Sequence, residues 1–141
     1  MFYIKEDQVG SYEDLWAEEV LADVVKGQPV LINDTFCFYM TGGYAAVAGV
    51  READRVTPIW RCKQVLADKV TGSGNDIQRG ERVYYIVAGA NAGLVTANLP
   101  AGTIGTDYYY CGIAKETADE DDEQVWMSFD GSSYDDLDKM L

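Results

Sequence analysis

The side chains on which chemistry would have to depend are few. The chain contains no His, which takes away the commonest general base, the usual nucleophilic triads and most transition-metal sites. Three cysteines remain, Cys37, Cys62 and Cys111. Their odd number and the absence of a CxxC spacing predict buried free thiols in a reducing compartment rather than a disulfide framework. Cys62 stands between Arg61 and Lys63, two cations of the kind that lower a thiol pKa. In a strand, however, both neighbours point to the opposite face, so the expectation is a structural thiol.

The acids offer a second kind of chemistry. Asp119 to Glu123 is an unbroken acidic run and invites a calcium reading. A calcium-binding EF-hand loop needs Gly at its sixth position, and counting from Asp119 that position is Gln124. A solvated hairpin turn is the expectation, and cation binding by the 116–123 turn stays open at this point. Paired carboxylates can hydrolyse glycosides, but no spacing here places two of them in a cleft. Gly72-Ser73-Gly74 lacks the third glycine and the strand-to-helix setting of a dinucleotide site, and no P-loop pattern occurs. No catalytic, cofactor-binding or metal-ligating residue emerges, and the expectation is a protein that is not an enzyme.

The elements that would position such residues are mostly strands. At 141 residues and 48% hydrophobic, the chain suits one domain with its own core. No apolar run approaches the roughly 18 residues that span a bilayer, and the N-terminus carries acids where a signal peptide needs an apolar stretch. Residues 1–10 read as an arm with the apolar patch Phe2-Tyr3-Ile4. Ser11 to Asp14 resembles a capping box. Leu15, Trp16, Val20, Leu21, Val24 and Val25 then follow at helical spacing, which predicts an amphipathic helix over 11–26, its main run Tyr12 to Lys26, closed by Gly27.

From residue 27 the pattern is β. Short runs of β-branched and aromatic residues alternate with Gly-rich turns up to residue 131, and residues 132–141 form an acidic tail. Strands are predicted at 30–32, 35–40, 44–50, 56–70 (one or two strands, around Pro58), 82–88, 94–97, 107–114 and 124–129. Two stretches, 27–60 and 79–131, share an order of features. Each opens on a Gly-x-x-Val start (Gly27 to Val30, Gly80 to Val83), passes a Gly-rich turn to a Gly-Val or Gly-Ile step (Gly49-Val50, Gly112-Ile113), and ends in a strand closed by Trp60 or Trp126. The predicted fold is mainly β, a small antiparallel β-barrel or β-sandwich with one N-terminal amphipathic helix.

Charge and aromatic content point outward, to partners. Lys and Arg number 11 against 24 Asp and Glu, a net charge of −13. Ten acids and one Lys fall in residues 116–141, so most of the excess lies at that end. Such a surface repels a phosphate backbone, which argues against direct nucleic-acid binding. Alternation along Tyr108-Tyr109-Tyr110 places successive rings on opposite faces. Tyr and Trp concentrate at interfaces, so Trp60, Tyr108 and Tyr110 are candidate interface residues.

The segments GERVYY (80–85), GLVT (93–96), YCGIAKETA (110–118) and VWMSFDG (125–131) together resemble a family of small phage- and prophage-encoded capsid decoration proteins, also described as head cement or stabilisation proteins. The resemblance spans about residues 27–131, fainter in its first half (Pro29 to Phe38 and Ala48-Gly49-Val50). The helix over 12–26 and the tail from Ser132 lie outside the pattern. It implies a non-enzymatic virion component that binds the outer surface of the assembled head, with the major capsid protein as partner and a homo-oligomer, a trimer, as its state. Its location would be the capsid surface, after assembly in the host cytoplasm, with no membrane association. The Phe2-Tyr3-Ile4 arm would grip the capsid, which adds Phe2, Tyr3 and Ile4 to the candidate interface residues, and would become ordered on binding. Two alternatives stand beside it: another virion role, such as a head–tail connector or a tail or fibre subunit, and a small carbohydrate-binding module or hydrolase.

Overall fold

A computed structural model describes residues 1–4 and 12–135. Its strands in chain order are β1 (Phe2–Tyr3), β2 (Tyr12–Asp14), β3 (Glu18–Glu19), β4 (Pro29–Ile32), β5 (Thr35–Tyr39) and β6 (Arg55–Val56). They continue with β7 (Pro58–Asp68), β8 (Arg82–Ile86), β9 (Val95–Thr96), β10 (Tyr108–Ala114) and β11 (Gln124–Asp130). All strand pairings are antiparallel. The main sheet follows the hydrogen-bonded order β4-β5-β7-β11-β10-β8-β9, and β3 and β6 form a separate two-stranded sheet.

The long strand β7 organises the molecule. Its inward residues are Ile59, Cys62, Val65 and Ala67, all buried, and their spacing departs twice from strict alternation. Both departures coincide with register shifts, one against β2 between Glu13 and Asp14 and one against β11 between Met127 and Phe129. An extra residue at each point bends the strand and increases its twist. The sheet therefore curls into a half-barrel around its core. The second irregularity is held by side chains: Cys62 Sγ donates to Gln64 O at 3.3 Å and Lys115 Nζ to Lys63 O at 3.1 Å.

Both edges of β7 are covered. Ala67 lies between Phe2 and Val125, Arg61 between Glu13 and Asp130, and Ile59 between Asp14 and Phe38. The Phe2-Tyr3 segment is thus a strand of the sheet, where a capsid-gripping arm was expected. The ring of Phe2 is 1% exposed and packs 5.0 Å from Phe129, 5.5 Å from Phe38 and 6.0 Å from Phe36, centroid to centroid. The rest of the expected arm, residues 5–10, lies outside the described residues.

The expected helix over 11–26 is absent, and the fold is all-β with no α-helix among the described residues. Its first turn is strand β2, and Leu15 N donates to Pro58 O at 2.9 Å to extend that pairing. Glu18–Glu19 pair with β6, and Val24 bridges Gly43. Two physical effects favour this outcome. The segment carries Val20, Val24 and Val25 with Tyr12 and Trp16, all modest helix formers. The open edge of β7 offers backbone partners that a helix would leave unsatisfied. Ser11, the first residue of the expected capping box, lies outside the described residues.

Elsewhere the strands follow the β pattern closely, with one further difference. Residues 44–50 form no strand. Val47 and Arg51 make an isolated bridge across a tight turn in which Gly49 takes φ +72°. The Ala-rich sequence there gives a strand little side-chain surface to pack. After β11 the chain makes a short 3-10 turn, Gly131–Ser133, capped by the Asp130 carboxylate, and Tyr134 packs back on the core.

Candidate functional site

The six expected interface residues do not form one surface. Phe2 belongs to the core. Tyr3 is half-buried, its hydroxyl donating to Asp68 Oδ2 at 2.9 Å, and Ile4 packs against the main cluster. Trp60 is half-buried under the Arg61 guanidinium, which lies 5.2 Å from a ring centroid. Tyr108 and Tyr110 are buried with Tyr84 in a separate cluster packed by Ile104, at ring separations of 5.8 and 6.3 Å. Their side chains alternate with Tyr109 and Cys111, which face the main core.

The thiols are buried and unpaired with one another. Burial pushes the Cys37 thiol up to about 12, with the Glu18 carboxylate adding to the effect. Burial likewise raises Cys62 and Cys111, against weaker opposing effects in each case. The cations flanking Cys62 do not activate it, and all three side chains are protonated near neutral pH. Among the described residues no group of three or more Cys, Asp or Glu is arranged to hold a metal ion.

The acidic turn is organised by a lysine. Lys69 is 2% exposed. Its Nζ donates to Val70 O at 2.9 Å, Asp119 O at 3.0 Å and Asp122 O at 2.9 Å. The ammonium thus fills all three of its donor positions with the carbonyls around which the turn closes. Burial lowers its pKa, while Asp122, Asp76, Asp121 and Asp119 act in the opposite direction. The positive charge that a calcium reading would assign to a metal is carried here by a side chain.

The surface that stands out is apolar, and part of it lies where the sequence predicts a helix. Among the described residues nine large hydrophobic side chains are exposed, and seven of them fall between positions 16 and 50: Trp16, Leu21, Val25, Leu31, Tyr44, Val47 and Val50. Leu21 with Leu31, and Val25 with Tyr44, line common grooves, the clustered apolar exposure that marks interaction surfaces. Trp16 is 94% and Leu21 99% exposed. The segment that carries them borders two grooves, one against β4 and one against the Gly42–Tyr44 turn.

These exposed residues sit on a bonded frame. Val20 N donates to Asp54 O at 3.1 Å, and Val24 and Gly43 exchange backbone bonds of 2.9 and 3.0 Å. Tyr44 N reaches Asp54 Oδ2 at 2.8 Å, Ala45 N reaches Asp23 Oδ1 at 2.9 Å, and Arg55 Nη2 reaches Ala17 O at 2.8 Å. Beneath them Val20, Tyr39 and Val56 form a small core of their own. Glu18, Glu19, Asp23 and Asp54 give the patch an acidic border. Helical periodicity assigns Trp16 and Leu21 to a core-facing stripe, which is why sequence reasoning missed them as surface. The signal that would have found them is the acid content of the same segment, with Glu13, Asp14, Glu18, Glu19 and Asp23 among its residues. Comparison with protein-family models, curated proteins and solved structures yields no match to this chain.

Proposed function

We propose that this protein is a virion structural component, a capsid decoration protein that binds the outer surface of an assembled head and stabilises it. The observation that carries the reading is the group of exposed apolar residues Trp16, Leu21, Val25, Tyr44 and Val50, of which Leu21, Val25 and Tyr44 line grooves together with Glu18, Glu19, Asp23 and Asp54 on a bonded β frame. A soluble chain that exposes such a patch gains by covering it with a protein surface. The resemblance of residues 27–131 to decoration proteins supplies the kind of surface, a lattice of major capsid protein. Repetition of one modest contact across that lattice gives durable attachment. The net charge of −13 disfavours nucleic acid as a competing partner.

The test is to mix the purified protein with expanded capsids of its own phage and sediment them. The expected result is saturable co-sedimentation at a fixed number of copies per capsid subunit, with added symmetric density in electron micrographs. Folded protein that stays in the supernatant at tens of micromolar, about the concentration at which a useful lattice contact must act, overturns the proposal.

A further inference from the structure

Strand β4 ends the main ladder and has a strand partner only on its β5 side among the described residues. The phase of its hydrogen bonds follows from the chain beside it. Tyr39 N donates to Gln28 O at 3.0 Å, so alternation directs the backbone groups of Val30 and Ile32 toward β5. Leu31 N–H and C=O and the Pro29 C=O therefore face outward. Leu31 is 39% exposed, and β4, with the sequence Pro-Val-Leu-Ile, carries no charge. An uncharged edge of this kind is a template for another strand.

The outward edge opens on the groove between β4 and the Glu18–Val24 segment. Val20 and Tyr39 supply apolar lining, and the exposed carboxylates of Glu18 and Glu19 stand on the opposite wall. Asp34, at the β4–β5 turn, adds a third exposed acid near one end. Two requirements on an occupant follow. It must be extended, because the groups offered are backbone donor and acceptors at strand spacing. It must carry cations, because carboxylates line the wall.

We propose that the β4 edge binds its partner by strand addition, taking an extended segment in which Lys or Arg alternates with Val, Ile or Leu. Alternation gives the added segment one apolar face, suited to the Val20 and Tyr39 lining, and one basic face for the exposed carboxylates around the groove. A second copy of this chain is the poorer occupant, since each copy carries −13 and pairing would bring Glu18, Glu19 and Asp34 toward their like. The inference rests on the reading of this protein as a protein-binding module and specifies how the partner is held.

The test uses the whole chain and a blocked nine-residue peptide of alternating Lys and Val, followed by fluorescence anisotropy, with no capsid present. Failure here is therefore separate from failure of capsid co-sedimentation. Binding in the micromolar range is expected, along with slowed hydrogen exchange at the Leu31 amide. Leu31→Pro removes the outward N–H, which an edge strand tolerates, together with the Leu31 side chain in the groove lining, and should weaken binding by about tenfold or more. Glu18→Lys with Glu19→Lys should weaken it by a similar factor and flatten its salt dependence. An alternating Glu-Val peptide should not bind. The inference is overturned by absence of binding up to ~1 mM peptide, by wild-type affinity in Leu31→Pro, or by a dimer that Leu31→Pro dissolves, which would make a second copy the occupant. Should Leu31→Pro fail to fold, the exchange rate of the Leu31 amide in the wild-type protein, with and without peptide, decides the matter.

Discussion

The ammonium of Lys69 meets the carbonyl oxygen of Asp122 at 2.9 Å across 53 residues of sequence. Together with Asp119 O and Val70 O it completes a cage that ties the end of β7 to the turn preceding β11. Replacing Lys69 with Met keeps the length of the side chain and removes all three donors. Carbonyls buried without their donor cost about 2–3 kcal/mol in such a site. Denaturant unfolding of Lys69→Met should show a loss of that size, with faster amide exchange over 119–123. An unchanged midpoint and unchanged exchange would mean that the turn closes without the lysine.

Phe2 supplies the second prediction. Its ring touches the three phenylalanines of β5 and β11, so Phe2→Ala should cost about 3–5 kcal/mol, the usual range for a fully buried ring. A free arm would lose nothing on the same substitution. Thermal unfolding separates the two outcomes directly.

How much of this was legible in the sequence depends on where the information lies. Strand β11 was readable because Val125, Met127 and Phe129 alternate with exposed or half-buried residues over a full strand, while β8 and β10 were readable from their runs of Val, Ile and Tyr. The segment 12–26 was not, because its apolar spacing fits a helix while the pairing of its first residues is decided by residues 59–62, about 45 to 50 positions away. Tertiary pairing overrides a weak local preference. The Lys69 cage was invisible for a related reason: its acceptors are backbone carbonyls, which any residue supplies. The exposure of Trp16, Leu21 and Val25 was hidden by the same misassigned helix.

Gly112 and Gly49 look alike in sequence, each followed by a β-branched residue, but differ in what surrounds them. A Cβ on Gly112 would stand 1.8 Å from Ser128 O and 2.8 Å from Met127 Cε, at φ +148°. One on Gly49, at φ +72°, would meet nothing within 4 Å. Gly112→Ala must displace β11 or disturb β10, whose register against β8 shifts between Tyr110 and Gly112, and should cost about 3 kcal/mol or more. Gly49→Ala pays only for its left-handed backbone, about 1 kcal/mol. Equal losses in chemical denaturation would contradict this assignment.

The thiols set an alkaline limit. Folding holds Cys37 near 12 against an ordinary 9.0, and Cys111 is raised as well. Above pH 9 the unfolded chain releases protons that the folded chain retains, so stability falls as pH rises. It is fully present below 9 and is lost progressively toward the folded values. By pH 10 the Cys37 thiol contributes a loss of about 1.4 kcal/mol, and Cys111 adds to it in the same direction. Burial raises Tyr84, Tyr85 and Tyr110 in the same sense, whereas the lowered Lys69 works against the trend over its own range. Unfolding free energies at pH 7.5, 9 and 10 should decline in that order, and Cys37→Ala with Cys111→Ala should flatten the decline. A pH-independent stability in the wild type would place the thiols in water.

Trp16 and Leu21 separate binding from folding. Both are almost fully exposed, so Trp16→Ala and Leu21→Ala should change stability by no more than about 0.5 kcal/mol. If their patch covers a capsid subunit, truncation of a central aromatic anchor should weaken co-sedimentation by about tenfold or more, and the double variant further still. Leu99→Ala, an exposed apolar residue outside the 16–50 patch, serves as the control and should leave occupancy unchanged. Loss of binding in all three variants would point to general stickiness. Loss in none would move the contact to another face. Loss confined to Trp16 and Leu21, in proteins that unfold like the wild type, would locate the contact on the segment that the apolar spacing had assigned to a buried helix.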